Sequence, residues 1–439
     1  MEDITMRKIF QYIMLAVVII VMASCTSDIE ETTATTGKSN VQLVVGEFPA
    51  FGDSQTRAIG THDEGKTSWA EGDELLLVID NTSYGKQYAT FTYNGSSWEL
   101  TSGELVYREG DPAYIPHVYY APNYKWEAGK LVLKEGKVAG TDEYIEGNAR
   151  ITGNGETITV SFAGATRKYS RLRIATLPNE QITVDTEYFT PAGSSDMKWD
   201  QNYALTSDEK GNAYLYGTFE NNSEVTVKYR EAPLKTYTFS QATENAKSYA
   251  LDASIISLAG EGITYDQIVE NVKKELYAGK TYINLILAPD VDEETLEAIN
   301  IGLKDARDGS INLTLIGCKK IPSRGFRHFG MLKSIALPDV TEIAEKAFLD
   351  CTRLQKVVLD NLTKVYGKAG EKGIFEGCRT KDIDLVLSKD QKVMNGGETE
   401  GGYCWTADIT KDYSGSDEHN GRVFLDYDFQ SITCGYPVP

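Results

Sequence analysis

The chain has 439 residues, 41% hydrophobic and 25% charged, with 64 Asp and Glu against 44 Lys and Arg for a formal charge of −20. That length points to about three domains, and the composition excludes wholesale disorder. So acidic a chain repels phosphate backbones and anionic headgroups, which excludes nucleic acid as a partner, and its 26 Tyr favour aromatic-rich sheet.

The N terminus opens with Arg7 and Lys8, followed by ten unbroken apolar residues from Ile13 to Met22. As a helix these rise only about 15 Å, too short to cross a bilayer but suited to the core of a signal peptide. Met22-Ala23-Ser24-Cys25 then resembles the lipobox of bacterial lipoproteins. The resemblance implies removal of residues 1–24 and acylation of the Cys25 sulfur, and more than one acyl chain anchors a protein effectively for good. Behind Cys25 come Asp28, Glu30 and Glu31, then a Thr/Ser/Gly-rich run to Asn40, so residues 25–40 read as a flexible acidic tether. Acidic residues at this place also resemble the export signal of Bacteroidota surface lipoproteins; linkers are, equally, often acidic.

From Val41 to about Tyr249 short runs alternate apolar and polar residues, which marks half-buried strands. Val41, Leu43 and Val45 alternate, as do Ile158, Val160 and Phe162, then Val225, Val227 and Tyr229. Asn94-Gly95, Gly211-Asn212 and Asn221-Asn222 supply turns. Many short strands with regular turns predict β-sandwiches, and the length suffices for two, at 41–165 and 166–255.

Thr56-Arg57, Trp69-Ala70-Glu71-Gly72-Asp73 with the apolar run behind it, and Tyr119-Tyr120-Ala121-Pro122 resemble the fimbrillin family of Bacteroidota. The resemblance covers residues 40–255. It implies two transthyretin-like sandwiches and a role as pilin, pilus anchor, tip subunit or lone surface protein. It also implies that Arg57 is a maturation cleavage site. Read physically, Gly72-Asp73 is a turn into a strand and Trp69 a core plug.

After Gly260 the period becomes helical. Thr264-Tyr265-Asp266-Gln267 is a capping-box sequence ahead of Ile268, Val272 and Leu276, and Gly279 stands where a helix ends. A second helix is predicted over Asp292 to Ala306. Then Ile321, Phe326, Leu332, Ile335 and Leu337 recur 22 residues later as Ile343, Phe348, Leu354, Val357 and Leu359. Phe375 and Cys378 echo Phe348 and Cys351 after 27 residues, which implies a five-residue insertion around Gly367–Gly373. This period means a leucine-rich solenoid, and the block Ile343 to Leu354 resembles the BspA-type repeat, commonly found in surface adhesins. Residues 256–392 therefore read as a repeat domain with a helical N-terminal cap, and 393–439 as a C-terminal capping segment.

Catalytic chemistry finds no anchor in the sequence. Gly60 to Thr67 matches the P-loop pattern, but no buried strand precedes it and no helix follows, and Asp63 and Glu64 would repel phosphate. His62, His117, His328 and His419 stand in no ligand or base spacing. Acids near the C terminus, Asp408 to Asp428, lack the spacing of an EF-hand loop. Neither metal nor cofactor is assigned. Cys318, Cys351 and Cys378 occupy repeat positions as small buried residues. Cys404 and Cys434 could form a disulfide in an oxidising compartment, though the odd total leaves pairing open.

The expectation is a mainly β chain: two transthyretin-like or Ig-like sandwiches followed by a short α/β leucine-rich solenoid. It is a non-enzymatic outer-membrane lipoprotein facing the cell exterior. Adhesion, as a fimbrial tip or accessory subunit, would proceed through the concave solenoid face toward a host or bacterial surface protein or glycan, with fimbrial subunits as further partners. The alternative is a glycan-capturing lipoprotein of a nutrient uptake system.

Overall fold

The computed structural model describes residues 41–434 apart from 54–64, 82–84, 106–115, 154–157, 163–166, 231, 261, 366–372, 388–397, 400–401, 404–422 and 426. The chain is mainly β, with two α-helices among the described residues.

The first body packs two sheets face to face. Five antiparallel strands run in the order Trp98–Glu104, Gly85–Tyr93, Glu74–Asn81, His117–Tyr120 and Ile145–Asn148. Opposite them Val41–Val45 runs parallel to Ile158–Phe162, which pairs antiparallel with Arg150–Gly153. The period-two pattern sends Leu75, Leu77 and Ile79 inward to meet Leu43, Val45, Val160 and Phe162 in one core.

In the second body, Ser170–Ala175 pairs with Asn212–Phe219 on one side and Lys247–Asp252 on the other. Gln181–Pro191 pairs with Lys198–Thr206 and Glu224–Tyr229, and Ala232–Thr238 lies outside the latter. One strand serves both groups. At Tyr188 φ is +49°, and beyond it Phe189 to Pro191 also pair with Asn212–Phe219. The two groups enclose Ile174, Val184, Phe189, Leu215, Phe219 and Val227.

The third body is a solenoid. Its main sheet is parallel throughout, in the order Ile256–Ser257, Tyr282–Ile286, Ile311–Ile316, Leu332–Ala336, Lys356–Leu359, Asp384–Leu387 and Ser431–Cys434. A narrow second sheet starts with Lys320–Ile321, Glu342–Ile343 and Lys364–Val365. Helix α1, Tyr265–Tyr277, begins at Thr264, whose hydroxyl accepts from Gln267 N while the Gln267 side chain accepts from Thr264 N. It ends where Gly279, at φ +81°, lets the backbone reverse. Helix α2, Glu293–Leu303, is capped by Asp292. Both helices lie on the core side, where Val272, Leu296 and Ile299 meet Ile283 and Leu313.

Candidate functional site

The repeat residues singled out by their spacing stack in register. The Phe326 and Phe348 rings lie 5.2 Å apart and 12° from parallel, and Phe348 and Phe375 lie 5.1 Å apart and 7° from parallel. Phe429 closes the ladder edge-on, 5.3 Å from Phe375. Leu332, Ile335 and Leu337 align with Leu354, Val357 and Leu359 in the same core, all of them 0–1% exposed. The turns repeat as well: Arg324 and Lys346, then His328 and Asp350, hold matching left-handed backbones. Between turns Phe326 N donates to Ala347 O at 2.7 Å and His328 N to Leu349 O at 2.8 Å.

The repeat cysteines do more than fill space. Cys351 Sγ donates to Phe326 O, and Cys378 Sγ to Phe348 O, each at 3.0 Å, so each thiol satisfies a carbonyl one repeat back. The bond to Cys378 and burial push the Cys351 thiol well up, and burial pushes Cys318 to about 12. Cys318 and Cys351 are structural thiols, held protonated.

The outward face of the main sheet divides in two. Over its first strands it is covered by the second sandwich: Thr314 Oγ1 donates to Pro233 O at 2.8 Å, and Ile316 joins that sandwich's core. Lys235 lies 4.2 Å from the centre of the Tyr282 ring. Behind this contact Lys280 Nζ binds Asp252 at 2.9 Å and Glu275 at 2.5 Å. Burial raises Asp252, but the bonds from Ser254 and Lys280 outweigh it and hold the carboxyl below its ordinary value. The concave surface expected to bind is thus partly an interdomain contact. Further along, the face carries Ser334, Lys356 and Asp384 in one register row, with Lys333 and Gln355 exposed beside them. Ala336, Val358 and Val386 form a small apolar cluster in the next row and are already buried. The polar row of this second half, with Lys333 and Gln355, is the candidate contact surface of the repeat domain.

The segment behind the tether ties the two sandwiches together. After Val45, Phe48 enters the first core, and Phe51 packs with Tyr169 and Ala192 at the junction. Gly52–Asp53 then pairs with Lys247 and Ser248 at the edge of the second sandwich. Between the two phenylalanines lies Arg167, 2% exposed, with its guanidinium carbon 3.8 Å from the centre of the Phe51 ring. It donates to both oxygens of Glu143 at 3.1 and 2.9 Å. Tyr169 donates to the same carboxylate at 2.5 Å, its hydroxyl pushed well up by burial and by Glu143. The alternation through Val45 hints at the strand, whereas nothing in the polar run Thr166-Arg167-Lys168 marks a buried guanidinium.

Cys25, Arg57 and Cys404 lie outside the described residues, and of Cys434 only the backbone, at the end of the last strand, is described. In the P-loop match, Gly60 to Glu64 are also outside, and Lys66 is bound to Asp73 and Tyr120. Asp428 pairs with Lys381 at 3.5 Å.

No family model matches the chain, and no curated relative matches it. Among solved structures, it is similar to a crystal structure of a Bacteroides fragilis protein whose given role, cell adhesion, is itself provisional. The match covers 51% of this chain and 89% of that one at 8% identity and a TM-score of 0.27.

Proposed function

We propose that the chain is a surface lipoprotein of the outer membrane, held by acylated Cys25 and facing the exterior, that serves adhesion by binding rather than catalysis. In this reading the sandwiches are of the fimbrillin kind, the solenoid is of the BspA type, and the protein acts alone or as a fimbrial tip or accessory subunit. Its partners are a host or bacterial surface protein or glycan, and fimbrial subunits where it joins a pilus.

The observation that carries this reading is the path of residues 41–53. This stretch is buried in the first core at Leu43, Val45 and Phe48 and in the junction at Phe51, and its backbone pairs with the second sandwich's sheet at Gly52–Asp53. A pull on the lipid end therefore loads two cores instead of peeling a free tail, which suits an adhesin under tension. Each of the four buried apolar side chains contributes about 1.5–3 kcal/mol to that grip.

Fractionation of cells expressing Cys25→Ala tests the anchor. The variant leaves the membrane fraction if the sulfur is the attachment point; a variant that still pellets with outer membranes and resists high salt rules the anchor out.

A further inference from the structure

The first sandwich carries a second surface, unrelated to the solenoid. The outer face of its five-stranded sheet is roofed by the hairpin formed by Tyr124–Glu127 and Lys130–Leu133. Between sheet and hairpin lies an open cleft of about 840 Å³, within the range of small-ligand sites, about 300–1,000 Å³. Its floor is a patch of hydroxyls: Thr90 and Ser102 are register partners, and Thr92 Oγ1 and Thr101 Oγ1 are 2.8 Å apart. Its walls are aromatic. Tyr88, 40% exposed, sits 5.9 Å from Trp126 on the hairpin, and Tyr119 and Tyr124 line the cleft further along.

The charges at the cleft are balanced. Asp73 is paired with Lys66, Glu74 with Lys134 at 3.6 Å, and Asp142 accepts from Glu143 N at 2.8 Å. No uncompensated basic cluster is present among its lining residues to select phosphate or sulfate. A deep apolar pocket would suit a lipid or a hydrophobic side chain, but here aromatic faces flank a hydroxyl-rich floor. Tyrosine and tryptophan offer apolar faces with polar edges, and threonine and serine both donate and accept. That combination matches a pyranose, which presents C–H faces to stack and a rim of hydroxyls to bond.

We infer that the cleft over the Thr90, Thr92 and Ser102 floor, edged on one side by the Tyr88–Trp126 pair and on the other by Tyr119 and Tyr124, binds a short neutral oligosaccharide. This gives the adhesion reading a ligand class, yet the site stands on the first sandwich alone, so binding by soluble protein tests it whether or not Cys25 is acylated or the solenoid binds anything.

The test uses soluble residues 26–439 and a panel of neutral trisaccharides with gluco, galacto and manno configurations in α and β linkage. Titration calorimetry is expected to show saturable binding of at least one of them. Trp126→Ala should weaken that binding about tenfold or more, as loss of a central aromatic contact does, with the melting curve unchanged. Hydrogen exchange on the wild-type protein gives a readout independent of any variant: the bound sugar should protect residues 124–133 and 88–92. No binding at millimolar sugar, full affinity in a folded Trp126→Ala, or protection confined to other regions would each overturn the inference.

Discussion

The hydroxyl of Tyr120 donates to Asp73 Oδ1 at 3.2 Å, bringing together two short motifs that stand 47 residues apart in the chain. The same carboxylate accepts from Lys66 and, at 2.7 Å, from Ala70 N, which closes the turn at Gly72, where φ is +90°. Around it Trp69 stands edge-on to Phe48, Trp98 and Tyr120, and its indole N–H donates to Gly46 O at 2.8 Å. One acid thus joins the turn, the sheet and the N-terminal segment. Asp73→Asn keeps the shape but leaves the Lys66 ammonium without its counter-charge, and should cost the first sandwich about 1–3 kcal/mol. Chemical denaturation followed by Trp fluorescence measures this; an unchanged midpoint would show the hub to be incidental.

Phe348 is fully buried and stacked on both sides. Phe348→Ala should therefore destabilise the solenoid by about 3–5 kcal/mol. Calorimetry should show the repeat-domain transition moved down and the first sandwich's transition in place. A thermogram identical to wild type would contradict the ladder.

A cut at Arg57 should not release the anchor segment. Leu43, Val45, Phe48 and Phe51 all lie on the N-terminal side of the cut, and their burial should hold that fragment in place. With a specific protease site replacing residues 56–58, the nicked chain is expected to migrate as one species on a native gel and as two under denaturing conditions. Loss of the small fragment under native conditions would mean that the grip is weak enough for the strand to be exchanged between molecules.

The Lys280 bridge between solenoid cap and second sandwich should make their contact sensitive to acid. Asp252 is held below its ordinary value in the folded chain, so its contribution is complete above the unfolded carboxylate pKa of about 3.9 and is lost as pH falls through the folded value. Lys280 is desolvated by burial, but its bonds to Glu275 and Asp252 prevail and raise it. Its contribution is full below about 10.4 and lost as pH rises through the raised value. The difference in melting temperature between wild type and Lys280→Met should then be constant near neutrality and shrink at the acid end. A difference that does not vary with pH would show that the bridge adds nothing across the interface.

Local rules made much of the architecture legible. The offset that takes Phe326 to Phe348 is the stacking distance of the ladder written in sequence, because each repeat returns the chain to the same place one strand further on. Thr264 and Gln267 marked a helix start because a capping box needs only four adjacent residues. The partners that no pattern announces are those set by tertiary packing. Thr314 occupies an ordinary outward strand position, yet its hydroxyl bonds to Pro233, 81 residues earlier, because the second sandwich sits on that face. Arg167 is buried because two phenylalanines of the N-terminal segment and a carboxylate much further along the chain converge on it. The cleft of the first sandwich is equally invisible, since Thr90, Thr101 and Trp126 line one space only once sheet and hairpin are folded.

The most direct test of the adhesion account compares intact cells that carry the full-length chain with cells that carry Cys25→Ala, on surfaces coated with host proteins and with neutral glycans. Equal expression is confirmed in both. The account predicts that the wild-type chain alone retains cells on at least one coating. Equal retention by both strains, or none by either on any coating, would contradict it.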